Sequence, residues 1–236
     1  MDNIIGIIGA MAVEVETIIA QLEGDRPTHV SGMTFHEGIL AGRRVVVVQC
    51  GIGKVNAAMC AQTLIDRFGA NEVINTGVAG ALDPSLSVGD LVVSTDLVHH
   101  DADVTGLGYE PGMVPGMESL SFTANEHLRV AVISAAKQVT PEITVLEGRI
   151  ASGDQFVSTQ DLKDHIFLTF GALCCEMEGA AIAHVCARNE VPFVVVRTIS
   201  DNADNTSTYA YRLAEEDEAK HCAAIVTKAL ELLDEA

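Results

Sequence analysis

The sequence predicts an α/β domain of three layers, a mixed central sheet between helices, running as a single unit over residues 1–236. Three observations carry this. Apolar runs of strand length alternate with segments of helical spacing from one end to the other. No Pro/Ser-rich linker or internal repeat divides them, and 236 residues suit one large domain. The apolar runs are aliphatic and β-branched, with 4% aromatics and no Trp, as in parallel strands buried on both faces.

Residues 4–8 form a short apolar strand that Gly9-Ala10 breaks, and residues 12–22 have helical spacing through Val15, Ile18, Ile19 and Leu22. A hairpin follows, from residues 33–40 and 43–50 about an Ala41-Gly42 turn, with four valines at its centre. Gly51-Ile52-Gly53 leads into a helix over 54–68 that Gly69 ends. The next strand, 73–76, is broken by a glycine-rich loop over 77–84, and another strand spans 90–98. Residues 99–121, rich in Gly, Pro and Met and without period, read as a long functional loop. A helix over 125–139 precedes a strand over 147–151, a loop over 152–158 and a short helix capped by Ser158 or Thr159. A helix over 179–189, a strand over 193–200 and a final helix to about residue 233 complete the chain.

The formal net charge is −19, so the protein repels nucleic acid and anionic membranes, and no basic patch offsets the field. The acid-rich segment 214–218 reads as the solvated start of the last helix, where acids suit the dipole. Six cysteines, at 50, 60, 174, 175, 186 and 222, show no CxxC pair and sit in apolar runs as buried free thiols do, which implies a reducing compartment. The first residues lack the basic region and cleavage site of a signal peptide, and no apolar run approaches the roughly 20 residues of a membrane span. The expected setting is the cytoplasm.

Several motifs exclude chemistries. Gly6-Ile7-Ile8-Gly9 lacks the spacing of a dinucleotide fingerprint. Gly51-Ile52-Gly53-Lys54 echoes a phosphate loop, but Val55 stands where Ser or Thr is needed, so a tight strand-to-helix turn fits better. His99-His100-Asp101-Ala102-Asp103 has no distant partner pair to complete a metal site, and neither metal nor cofactor is expected. That segment reads as a polar loop shaping a crevice or a partner surface.

Glu14, Glu178 and Asp201 each have a plain explanation as helix-terminal or turn residues. They share an address, however. Each follows the C-terminal end of an apolar strand, with glycine-rich loops at the same lip, where open α/β sheets bind ligands. Glu176 and Glu178 flank Met177, a soft apolar neighbour. Several acids and a thioether in one crevice suit acid-assisted chemistry on a small, partly apolar molecule.

The segments 4–11 with Glu14, 50–54, 75–80, 100–105, 152–156, 176–178 and 197–201, in that order, resemble the 5′-methylthioadenosine/S-adenosylhomocysteine nucleosidase family of the nucleoside phosphorylase superfamily. The likeness covers nearly the whole chain. It implies a nucleoside phosphorylase-like fold and hydrolysis of adenine thionucleosides to adenine and a 5-thioribose product, as in methionine salvage. It also implies roles. Asp201, supported by Ser200, would protonate N7 of the base; Glu14 would orient the attacking water; Arg197 would organise the acids. Glu178 would hold the ribose hydroxyls with Met177 packed on the sugar, Phe156 would stack on the purine, and the main chain at Val157 would read its edge. Ala79 and Gly80 would line the sugar–base side. Met11, Ile52 and Tyr211, with Val104, Leu107 and Pro115 from the other subunit of a homodimer, would wall the 5′-alkylthio pocket.

The chemistry agrees with those residue types. Carboxylates stabilise the cationic ribosyl species that forms as the bond breaks, and a positioned acid is typically worth about 10²–10⁴-fold. Keeping a proton on an Asp near neutral pH means raising its pKa by about 3 units, roughly 4 kcal/mol, which crowding by Glu14 and Glu178 could supply. Val78 stands where the family has Ser, removing a hydroxyl, and Tyr211 and Leu107 stand where Phe is common. The alternatives are a phosphorylase, a nucleosidase for another adenine nucleoside such as aminodeoxyfutalosine or 5′-deoxyadenosine, and a noncatalytic nucleoside-binding protein.

Overall fold

A computed structural model describes residues 3–233. In chain order the elements are β1 (Ile4–Gly9), α1 (Ala12–Ile19), β2 (Glu23–Val30), β3 (Met33–Leu40), β4 (Arg43–Gln49), α2 (Lys54–Phe68), β5 (Glu72–Ala81) and β6 (Leu91–His99). They continue with β7 (Phe122–Thr123), α3 (Glu126–Val139), β8 (Val145–Ser152), α4 (Gln160–Phe170), β9 (Cys174–Glu176), α5 (Gly179–Arg188), β10 (Phe193–Asp201) and α6 (Ser207–Leu232). A one-turn 3-10 helix at Thr105–Leu107 interrupts the long loop.

The mixed sheet orders its strands β10-β6-β8-β9-β5-β1-β4-β3-β2, and β10 also pairs β5. Five strands therefore close into a ring, from which β1, β4, β3 and β2 extend as an open wing. Alternation along the strands sorts side chains to two faces. Ile5, Ile7, Val45, Val47, Val194 and Val196 pack beneath α1, α3 and α6, while Ile8, Val46, Val48 and Val195 meet α2 and α5. These are the three expected layers.

Some elements differ from expectation. The first helix stops at Ile19, and residues 23–30 form β2, an exposed edge strand without apolar alternation. Pro27 is tolerated there because, among the described residues, only β3 pairs with β2. β5 runs through the glycine-rich segment to Ala81 instead of breaking at Gly77, because β10 pairs it as far as Gly80. The three-residue β9 is too short to show a period. The acids at 214–218 lie inside α6, whose start is Ser207, and Glu218 is buried rather than solvated. All six cysteines are unpaired and buried, and no helix among the described residues is long and apolar enough to cross a membrane.

Candidate active site

The site lies where β5 changes partners. On one edge β5 pairs β10 from Val73 to Gly80. On the other it pairs β1 only as far as Asn75, and β9 takes over at Gly80. Among the described residues no strand pairs 76–79 on that edge, and the Glu14 carboxylate takes its place. Glu14 enters on the first turn of α1, and its Oε1 accepts from Val78 N at 3.3 Å. Oε2 accepts from the amides of Ala10 at 2.6 Å and Met11 at 2.9 Å. Such an approach requires glycine at 77, since a Cβ there would lie 2.4 Å from Oε1.

Asp201 ends β10 and is buried. Its Oδ1 accepts from Ala203 N at 2.8 Å and its Oδ2 from the Ser200 hydroxyl at 3.0 Å. Glu178 stands at the N-cap of α5, and its Oε1 accepts from Gly53 N at 2.7 Å. Gly53 adopts φ +99°, a conformation that favours glycine, and so aims its N–H at Glu178. The neighbouring Lys54 N donates to Asp154 at 2.8 Å. The N-terminus of α2, the place where a phosphate would bind, is thus taken by two of the protein's own carboxylates.

These groups line one cavity of about 260 Å³. Glu14, Glu178, Asp201, Ser200, Met11, Ile52, Ala79, Gly80, Phe156, Met177 and Tyr211 all face it. Val157 lines a small adjoining recess of about 30 Å³ shared with Phe156, Met177 and Asp201. The Phe156 ring is half exposed and meets the Tyr211 ring edge-on, with centroids 5.7 Å apart. The Tyr211 hydroxyl donates to Met11 Sδ at 3.0 Å. Val104, Leu107 and Pro115 do not line this chain's cavity, and Leu107 is 76% exposed.

Arg197 does not line the cavity but lies behind it, with 2% of its side chain exposed. Its Nη2 pairs with Glu176 Oε2 at 2.5 Å and donates to Asn75 Oδ1 at 2.6 Å. The crowding of acids falls on Glu178. Burial, then the negative charge of Glu176, pushes its carboxyl up to about 8. Burial also raises Glu14, against the pull of Arg197 and three backbone amides. Glu176 goes the other way: burial would raise it, but Arg197 and its hydrogen bonds outweigh burial and keep it ionised.

Glu176, Ser152 and Asn75 are the supporting residues to which sequence reasoning gave no role. One signal was available, since an arginine inside the run Val194-Val195-Val196-Arg197 demands a buried partner. The histidines at 99 and 100 are buried at the end of β6, and burial lowers both. Among the described residues no group of His, Cys, Asp or Glu is arranged to hold a metal ion.

A partly closed mixed sheet with carboxylates gathered at a break in its pairing defines a class. Residues 4–231 match the phosphorylase superfamily. A 5′-methylthioadenosine/S-adenosylhomocysteine nucleosidase of Bacillus cereus (strain G9842) is 43% identical over 230 residues, 97% of this chain and 99% of that one. The crystal structure of the Neisseria meningitidis nucleosidase of the same name, in complex with methylthio-immucillin-A, superposes with a TM-score of 0.94 at 37% identity, covering 97% of this chain and 99% of that one. A futalosine hydrolase of Helicobacter pylori matches at TM-score 0.91 and 34% identity, over 99% and 98% of the two chains. The chain belongs to the 5′-methylthioadenosine/S-adenosylhomocysteine nucleosidase family of that superfamily.

Proposed function

We propose that the protein hydrolyses the N-glycosidic bond of 5′-methylthioadenosine and S-adenosylhomocysteine, releasing adenine and the 5-thioribose product. The observation that carries this is the make-up of the cavity wall. It presents Glu14, Glu176, Glu178 and Asp201 and, among the described residues, no Lys, Arg or His. Arg197, which lies behind the wall, is neutralised by its ion pair with Glu176. Such a lining stabilises a cation and repels phosphate.

Asp201 donates a proton to N7 while the electron pair of the C1′–N9 bond moves onto the base, which leaves as neutral adenine. Glu178 holds the ribose hydroxyls beside Met177 while the ribosyl cation forms. Water adds to C1′ and gives a proton to Glu14, which the three amides hold in place. Ser200 supports Asp201, and Phe156 with the Val157 main chain receives the purine. Met11, Ile52 and Tyr211 enclose the alkylthio group.

A second copy of the chain completes that last pocket. Ile52, Val55 and Met59 leave an apolar stripe exposed from the cavity mouth along α2, and the loop bearing Val104, Leu107 and Pro115 stands clear of its own cavity. Six unpaired buried thiols support a reducing, cytoplasmic setting.

The test is adenine release from a panel of methylthioadenosine, S-adenosylhomocysteine, 5′-deoxyadenosine and aminodeoxyfutalosine, with and without phosphate. Release from the two thionucleosides without phosphate is expected. Dependence on phosphate with formation of a sugar 1-phosphate would make the protein a phosphorylase. Turnover of aminodeoxyfutalosine alone would favour the second reading, which the likeness to futalosine hydrolase motivates. Binding without any turnover would leave a nucleoside-binding protein.

A further inference from the structure

Glu176 has no part in the chemistry just described, yet it is the most heavily bonded acid at the cavity. Only 3% of its side chain is exposed. Its Oε2 accepts from Arg197 Nη2 at 2.5 Å, from Gly179 N at 2.7 Å and from Glu178 N at 3.1 Å. Its Oε1 is bonded to the Ser152 hydroxyl, whose oxygen accepts from Ala180 N at 2.7 Å. One carboxylate thus ties together the end of β8, the start of α5 and the guanidinium from β10.

Arg197 stands among three carboxylates. Both Glu14 and Glu178 feel its charge, but among the described residues it forms its ion pair with Glu176. A buried guanidinium stripped of its partner is costly and turns to whichever carboxylate it can reach. Here that would be Glu14 or Glu178, whose outward oxygens the reaction needs.

We propose that Glu176 is a positioning residue for the reaction: its carboxylate holds Arg197 behind the cavity wall, against Asn75, and so leaves Glu14 and Glu178 free to face water and ribose. The inference rests on the nucleosidase reading, since only there must both acids present an unpaired oxygen. It differs from a plain helix-capping role, which would support α5 without acting through Arg197.

The test combines Glu176→Gln, Arg197→Met and the double variant, with adenine release from methylthioadenosine measured across pH. Glu176→Gln is expected to lower kcat by about 100-fold, the scale set by misplaced catalytic groups, and to shift the pH profile. In the Arg197→Met background it should add little, because both substitutions act through one pair. Losses that multiply, with an unmoved pH profile, would overturn the proposal in favour of capping alone. A crystal structure of Glu176→Gln supplies a readout without turnover, with the guanidinium expected against Glu14 or Glu178. A guanidinium still seated on Asn75 would overturn the proposal. Absence of adenine release by the wild-type protein would count against the nucleosidase reading, and that structure would then decide the Glu176 question. If Glu176→Gln does not fold, Glu176→Asp replaces it in the same cycle, with the same non-additivity expected and multiplying losses again overturning the proposal.

Discussion

Gly77→Ala adds one methyl group to the backbone beside the Glu14 carboxylate. The new Cβ would lie 2.4 Å from Oε1 and 3.0 Å from Cδ, whereas ordinary contact begins near 3.4 Å. The carboxylate must therefore retreat by about 1 Å, the difference between 3.4 and 2.4 Å. It cannot retreat freely. Three amides hold it, at 2.6, 2.9 and 3.3 Å, and the last, from Val78, lies beside the intruding methyl. Losing one hydrogen bond to a charged group costs about 1.5–3 kcal/mol, and misplacing a reacting group by about 1 Å costs roughly 10²-fold in rate. The expected variant folds with a lowered melting temperature, binds methylthioadenosine within about threefold of wild type, and loses about 100-fold in kcat. Steady-state adenine release and a thermal melt on the same sample measure both. A folded variant with kcat within about threefold of wild type would refute the assignment of Glu14 to the attacking water.

Three further outcomes are expected. Asp201→Asn keeps an acceptor for Ala203 N but carries no acidic proton, so adenine release should fall by about 10²–10⁴-fold while equilibrium dialysis shows ligand affinity little changed; turnover near the wild-type level would remove Asp201 as the acid. The carboxyl of Glu178 rises from 4.5 to about 8 on folding. Between those values the folded state holds a proton that the unfolded chain releases, so stability is greatest at the acid end and falls as pH rises through 8. The melting temperature of the ligand-free protein should drop over that window and Glu178→Gln should flatten the slope, whereas an equal slope in both proteins would contradict the protonated Glu178. Finally, sedimentation should find a two-chain particle, and Leu107→Asp should both dissociate it and raise KM for methylthioadenosine; a wild-type monomer would exclude a shared pocket.

The sequence made the strands and helices of the layers legible because valine and isoleucine runs alternate cleanly with helical spacing. It made the acids legible because each follows a strand end. What it concealed has a common physical cause. β2 buries too little to carry a pattern, and β9 is too short to have one. The persistence of β5 through Gly77 and Gly80 depends on β10, which supplies its partner from far along the chain. Arg197 announced a need for a counter-charge, but Glu176 rather than Glu14 or Glu178 became that partner through a geometry that no spacing encodes. Crowding of acids was likewise foreseeable as a force, while its main target, Glu178, depended on which carboxylate Arg197 neutralises.

The break in pairing along β5 also bears on how the protein acquires its activity. Glu14 and Val78 are separated by 64 residues, Asn75 and Arg197 by 122, and Gly53 and Glu178 by 125. Residues 1–81 carry Glu14, Ile52 and the Val78–Gly80 wall but neither Glu178 nor Asp201, so the site is completed only by contacts distant in sequence, which form after large loops have closed. The wing of β1 to β4 can assemble from its own neighbours, but the cavity appears only when β9 and β10 have docked on β5. Return of adenine release during refolding therefore reports the last stage of assembly, and a nascent chain emerging from the ribosome stays inactive until its C-terminal third has been made.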